Sequence, residues 1–233
     1  MQCFMKFGDS MYGFLFLLIH LVGVENLEHL EDGGGWFSNK YSVTTREEGP
    51  CTVEIRDASL TYSEFMRSYA YSKPVIIRGI ADNSDFRAFC SKKNLLRWYG
   101  DRLVRLSTAN TYSYNKVDVP FQEYVEQLMK PQCPEALGSG AGTGVPFHWH
   151  GPGYSEVVYG RKRWFLYPPD KNPKFHPNRT TLSWLLDIYP SLSEEQHPIQ
   201  CTIHPGEVLY FPDRWWHATL NLDTSVFIST FLG

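Results

Sequence analysis

From Gly144 onward the chain breaks into short apolar, aromatic and β-branched runs punctuated by turn residues, and no other feature narrows the fold as much. Strands are expected at Phe147 to His150, Tyr154 to Tyr159, Arg163 to Tyr167, Cys201 to His204, Val208 to Phe211, His217 to Leu220 and Ser225 to Phe231. Gly, Pro, Asp and Asn bound them, and one helical stretch, Leu182 to Tyr189, interrupts them. That rhythm belongs to an antiparallel sandwich or barrel rather than to alternating strands and helices. With aromatic residues at 15% of the chain, such a fold has ample material for its core.

The first half has a mixed texture. Thr61-Tyr-Ser-Glu64 has the form of a capping box and predicts a helix through TYSEFMRSYAY, after which Val75-Ile76-Ile77 reads as a strand. Ser91 to Tyr99 reads as a helix ended by Gly100, RLVRLS as a strand, and Pro120 to Met129 as a third helix. Glu31 to Pro50 is polar and glycine-rich, without a sustained period, so residues 24–50 are expected to be a flexible lead and residues 51–233 the domain.

The N-terminus has Lys6 and then an apolar stretch from Met11 to Val24, too short for a stable membrane span. Residues 1–23 therefore read as a secretory signal, with an uncleaved anchor as the alternative because Leu21 spoils the small-residue cleavage pattern ending at Gly23. Beyond it, Cys51, Cys90, Cys133 and Cys201 form an even set that allows three pairings in an oxidising compartment. Asn178-Arg179-Thr180 is a glycosylation sequon. Together these predict the endoplasmic reticulum lumen, and secretion stays open because the C-terminus carries no retention address. The net charge of -3 and the absence of any basic block beyond Arg161-Lys162-Arg163 argue against nucleic acid.

Along a strand, residues two apart share a face, so His148 and His150 can aim at one point while Trp149 faces away. Such a pair alone is weak evidence for a metal. It gains weight from HPGEVLYFPDRWWHATLNLDTSVFIST, where His217 opens a strand that can return to the same barrel and supply a third nitrogen. Gly160-Arg-Lys-Arg-Trp164-Phe-Leu-Tyr-Pro-Pro169, Gly206-Glu-Val-Leu-Tyr-Phe-Pro212 and Trp215-Trp216-His217 complete the pattern.

From about Cys51 to the C-terminus, these blocks resemble the jumonji-C family. The resemblance implies a double-stranded β-helix of jelly-roll or cupin type that binds Fe(II) and 2-oxoglutarate and hydroxylates or demethylates protein substrates. It places His148 and His217 as iron ligands, and Lys162 as the cation that pairs with the far carboxylate of 2-oxoglutarate. Independent physical reasoning agrees, since a dianion in a narrow barrel needs a buried cation beside it.

Three departures accompany the resemblance. His150 stands where the family has Asp or Glu, and Val145 where it has a hydroxyl residue that touches the cosubstrate. An imidazole in place of a carboxylate leaves iron less charge-compensated and less suited to oxygen activation, although three histidines suit zinc as well as iron. The segment Pro131 to Gly144 is too short and too rich in Gly and Pro to hold the strand that should precede His148, so an incomplete barrel with an exposed edge is expected. Glu156, a conceivable replacement carboxylate, reads as a surface residue, and Trp164, Trp215 and Trp216 read as packing. The expected protein is thus a lumenal barrel with a degenerate three-histidine centre that works mainly through protein partners; the alternative is an active hydroxylase of secretory proteins. A three-histidine cupin oxygenase without 2-oxoglutarate ranks third, because it leaves Lys162 unexplained.

Overall fold

The computed structural model describes residues 2–4, 33–36, 47–80, 82–108, 110–112, 115–129 and 141–232. Eleven strands lie among them: β1 Gln2–Phe4, β2 Glu54–Asp57, β3 Val75–Arg78, β4 Leu103–Ser107, β5 Lys116–Pro120, β6 Gly153–Tyr159, β7 Lys162–Tyr167, β8 Ile199–Ile203, β9 Glu207–Phe211, β10 Trp216–Asn221 and β11 Val226–Phe231. A five-stranded sheet runs β11-β6-β9-β3-β2, a three-stranded sheet β10-β7-β8, and a third sheet β1-β4-β5. Val157, Leu209 and Phe211 of the larger sheet pack with Trp164, Leu166 and Ile203 of the smaller, so the two face one another across an apolar core. The expected double-stranded β architecture is present, with six of the seven expected strands, β6 to β11, where the turn rhythm places them.

The local signals explain the elements. Glu64 N donates to the Thr61 side chain at 3.2 Å and Thr61 N to the Glu64 carboxylate at 3.1 Å, which closes the capping box at the start of helix α1, Tyr62–Ser68. Gly100 caps the helix Lys92–Tyr99. Gly160 turns β6 into β7 at φ 81°, where a Cβ would meet the Thr224 carbonyl oxygen at 2.5 Å. The third expected helix exists as Phe121–Glu123 followed by the π-helical turn Tyr124–Leu128. Three strands were not expected: the exposed β2 and β5, and β1, where Gln2–Phe4 pairs with β4 although residues 1–23 read as a signal; neither was the short helix Ser84–Phe89.

Residues 143–150 differ from expectation in an instructive way. They run beside β10, with Asn221 N donating to Thr143 O at 2.7 Å, Thr219 N to Val145 O at 2.8 Å, and His148 and His217 exchanging bonds of 3.1 and 2.9 Å. The register slips by one residue between Val145 and His148, so only an isolated bridge remains where a regular strand was expected at Phe147 to His150. Pro146 lies at the slip and has no N–H to give to a ladder. With this irregular edge and β6 to β11, seven strands of a β-helix are accounted for. Among the described residues β11 pairs with β6 alone, leaving its other edge open; the Gly/Pro-rich residues 130–140 lie outside them.

The lead is not uniformly flexible. Trp36 is buried in the core formed by Leu95, Val104, Leu106 and Phe121, and its indole N–H donates to Cys90 O at 2.9 Å. Glu48 meets Arg161 at 2.9 Å. The packed unit therefore includes residues ahead of Cys51. Of the three cysteine pairings, a disulfide joins Cys51 to Cys201 on β8. Burial pushes the free Cys90 thiol up to about 12, which makes it inert; Cys133 lies outside the described residues. So does the apolar stretch read as a signal, and among the described residues no helix is long and apolar enough to cross a membrane.

Candidate metal centre

His148, His150 and His217 converge. Each offers a ring nitrogen, and the three nitrogens lie within 4.8 Å of one another. The backbone bridge between His148 and His217 brings the first and third ligands side by side, with ring centroids 4.2 Å apart. His150, two residues on, is 4.6 Å from His217 by centroid. His217 is buried and the other two are half-buried, so the cluster opens at the mouth of the barrel.

Each imidazole is oriented by a backbone carbonyl: His148 Nδ1 lies 2.9 Å from Pro146 O, His150 Nδ1 2.8 Å from Gly151 O, and His217 Nδ1 2.9 Å from Trp215 O. A carbonyl oxygen only accepts, so Nδ1 donates in all three rings and the neutral rings turn bare Nε2 lone pairs toward one another. The Nε2 atoms of His150 and His217 are 3.0 Å apart. Two lone pairs at that distance repel unless a cation lies between them, and metal–imidazole bonds of about 2.0–2.1 Å let both reach a single ion. Burial holds the His217 pKa well below the ordinary histidine value, with the neighbouring His148 adding to the effect, and burial lowers that of His148. Neutral imidazole is the metal-binding form.

Lys162 lies deeper in the same barrel and is 1% exposed. It pairs in register with Asn221 on β10, and its Nζ donates to Asn221 Oδ1 at 3.0 Å and sits 3.8 Å over the Phe227 ring. No carboxylate faces it among the described residues, and desolvation lowers its pKa to about 7. The inward positions of β10 from Lys162's neighbour to the metal ligand are Asn221, Thr219 and His217, which spaces the backbones of Lys162 and His217 by roughly 13 Å along the ladder. A lysine side chain and a small dicarboxylate together fill such a distance. The flanking Arg161 and Arg163 turn outward, Arg161 onto Asp223 at 2.6 Å and Arg163 onto Gln200 at 2.6 Å, so the basic triplet makes no basic surface.

Sequence reasoning missed Thr219 and Asn221, both buried and both on the inner face. Thr219 Oγ1 accepts from Val145 N at 3.2 Å, so a hydroxyl stands beside the position where Val145 lacks one. Asn221 Nδ2 donates to Thr143 Oγ1 at 3.1 Å. Period-two reading from His217 would have found them. Glu156 departs from its expected surface role: it is 7% exposed and takes a hydrogen bond from Asn83 Nδ2. It is not part of the metal-ligating group. Trp164 and Trp215 are core residues as expected, Trp164 stacking on Phe211 at 5.6 Å, while Trp216 is half-buried against Phe175. Asn178 is exposed in the turn before the helix Thr181–Asp187.

Comparison with known proteins places this site in context. Residues 146–231 match the family model described as a cupin-like domain. JmjC domain-containing protein 8 of Rattus norvegicus is 55% identical over 264 residues, covering 95% of this chain and 98% of the relative. That alignment is longer than the 233 residues of the chain, so the relative carries residues with no counterpart here. A lysine-specific demethylase of Arabidopsis thaliana is 28% identical over 75% of this chain and 24% of its own length. A 2-oxoglutarate and iron-dependent oxygenase of Mus musculus is 30% identical over 38% of this chain and 23% of its own.

Proposed function

Since the chain belongs to the JmjC family, alongside the proteins named JmjC domain-containing protein 8, we propose that it is a lumenal member whose three-histidine centre binds a metal ion and which works through protein partners rather than by efficient 2-oxoglutarate turnover. One observation carries this reading: the third nitrogen at the centre is the neutral His150, with its Nε2 3.0 Å from that of His217, where an oxygenase of this family needs an anionic oxygen. Metal binding survives that exchange because three imidazoles still converge. Oxygen activation suffers, because the ion loses the charge that helps its oxidation.

The residues nevertheless fit the family's cofactors. His148, His150 and His217 would hold iron or zinc, and Lys162 would meet the far carboxylate of 2-oxoglutarate. Iron with that cosubstrate supplies oxygen activation for hydroxylation. The chain's own part is to position and desolvate: β10 sets His217, Thr219 and Asn221 on one face, while Trp164, Phe211 and Phe227 exclude water. The specific observation favouring an active enzyme is Lys162, a buried amine that no carboxylate faces among the described residues. Purified chain loaded with Fe(II) and given 2-oxoglutarate and oxygen separates the readings. Metal uptake without succinate release is expected; succinate release that His217→Ala abolishes would overturn the partner-binding reading.

The lumenal address is likewise our proposal. Its support is the Cys51–Cys201 disulfide, the exposed sequon at Asn178 and the apolar N-terminal stretch. Expression in mammalian cells should give a glycosidase-sensitive mass shift that Asn178→Gln removes; an unshifted protein with reduced cysteines would refute the address.

A further inference from the structure

We infer that a crevice beside the sequon is the docking site for the first N-acetylglucosamine of a glycan carried on Asn178, with the acetamide group inside the crevice and the sugar ring on its rim. The inference rests on the lumenal reading above only for the presence of a sugar. It adds a structural role, in which the glycan becomes part of the wall behind a metal ligand.

The crevice measures about 180 Å³, its open mouth included, and Phe147, Phe175, Trp184 and Ala218 wall it. The rings brace one another, with Phe147 4.9 Å from Trp184 and 5.5 Å from Phe175 by centroid. The Trp184 indole N–H is engaged by Lys174 O at 2.8 Å, so this wall offers a ligand apolar contact. Thr181 differs from its neighbours. It too lines the crevice, it is 1% exposed, and its hydroxyl finds no hydrogen-bond partner among the described residues. Burying a hydroxyl without a partner is costly, so a group that completes it binds with a gain that an exposed hydroxyl would not give.

The chain itself supplies the occupant. Asn178 is exposed, and residues on both sides of it, His176 before and Arg179 after, line the crevice. Their turn is pinned: Arg179 N donates to His176 O at 3.0 Å, Asn178 N to His176 Nδ1 at 3.2 Å, and Thr111 N to Pro177 O at 3.0 Å. A sugar on Asn178 therefore starts at the mouth, on a turn anchored to the domain. Docking is then intramolecular, so a contact too weak to capture a free sugar suffices. The acetamide brings a methyl group for the aromatic walls, and an N–H and a C=O, either of which can pair with the Thr181 hydroxyl. At about six water volumes with its mouth counted, the crevice takes the acetamide and leaves the ring outside. Pro146 also lines the crevice, and its carbonyl holds His148 Nδ1 at 2.9 Å, so a docked sugar braces the segment that orients this ligand.

The test uses the full chain expressed in mammalian cells with isotope in the acetyl groups of its glycan, which an endoglycosidase then trims to the first sugar. In the NMR spectrum the acetyl methyl should move upfield in the ring currents of Phe147 and Trp184 and show a nuclear Overhauser effect to Trp184. Thr181→Val gives a second readout, because it keeps the shape and removes the hydroxyl. In the sugar-free Asn178→Gln chain it deletes an orphaned group, and the unfolding equilibrium constant should stay level or fall. In the sugar-bearing chain it breaks a hydrogen bond, and the constant should rise about 5-fold. An acetyl methyl that resonates where it does in the free sugar would overturn the docking, and so would the same effect of Thr181→Val in both chains. The mass shift at Asn178 would then still stand, and the lumenal reading with it. A chain made in these cells without any sugar on Asn178 overturns both.

Discussion

The histidine cluster and Lys162 share one barrel, yet they are finished to different degrees. Each histidine has a carbonyl fixing its Nδ1 and presents Nε2 to the same point, so the cluster is preorganised by the chain alone. Lys162 has, among the described residues, one amide oxygen and one aromatic face, and no anion. The first site is complete in geometry; the second, among the described residues, is incomplete in charge. A protein that had lost all use for 2-oxoglutarate would gain stability by replacing such a lysine with an apolar residue, because a buried unpaired cation is costly. Its presence makes the anion pocket the more informative half of the barrel.

The largest expected effect breaks the geometric half. His217→Ala removes the buried ligand that both other rings face, and affinity for cobalt(II), read by its visible spectrum, should fall by more than ~10⁴-fold. If affinity holds, the three nitrogens do not share one ion.

Next in size is a change in stability at the lysine. The unfolded chain keeps the Lys162 proton up to its ordinary pKa of 10.5, whereas the folded chain releases it at about 7. Between those values the unfolded state binds more protons, so stability rises with pH across that window. Below about pH 7 both states are protonated and the full penalty is present; above 10.5 it vanishes. Lys162→Met should therefore stabilise the protein at pH 6 by a few kcal/mol, with about 5 kcal/mol as the ceiling that the shift allows. In urea titrations at several pH values the gain should shrink as pH rises through the window. A gain that does not depend on pH would mean that the lysine reaches water or a counter-ion.

A third measurement joins the two halves. If the pocket holds the dianion, 2-oxoglutarate at a hundred times its dissociation constant should add about 2.7 kcal/mol of stability to the metal-loaded chain. Lys162→Met should abolish this increment without affecting metal uptake. At pH 8 the binding should also take up protons, since the anion restores the lysine's charge. Equal stabilisation of both proteins would place 2-oxoglutarate elsewhere.

Much of this was legible in the sequence, for identifiable reasons. His217 stands at the start of β10, whose approach is marked by Gly206 and Pro212, and His148 meets it through a single bridge, so the extended spacing of the two blocks brought them together. The capping box at Thr61 and the stop at Gly100 are local signals, and local signals survive folding. What escaped depends on tertiary contacts. Glu156 carries the charge of a surface residue, but Asn83, at the start of the helix Ser84–Phe89, covers it. Trp36 lies in a glycine-rich lead whose composition hides one buried anchor. β2 and β5 are edge strands with exposed, charged sequences, and no apolar period reveals such strands. Thr219 and Asn221 are ordinary strand residues until the position of Lys162 gives them a role.

The smallest expected effect on affinity is the one that decides most about chemistry. His150→Asp exchanges a neutral nitrogen for an anionic oxygen at the half-buried ligand position, leaving the bridge between His148 and His217 intact. The exchange trades ligand softness for charge, so metal affinity should change by less than ~10-fold, about 1.4 kcal/mol. Turnover of 2-oxoglutarate under iron and oxygen is the sharper readout. If succinate release appears in the variant and not in the parent chain, the missing carboxylate is what holds the chemistry back, with Lys162 and Thr219 sufficient for the cosubstrate. If the variant binds iron and 2-oxoglutarate yet releases no succinate, the limit lies in the wall, where among the described residues β11 contributes Phe227 beside Lys162 and Phe231 beside His150, and water that reaches the centre past them would defeat the chemistry.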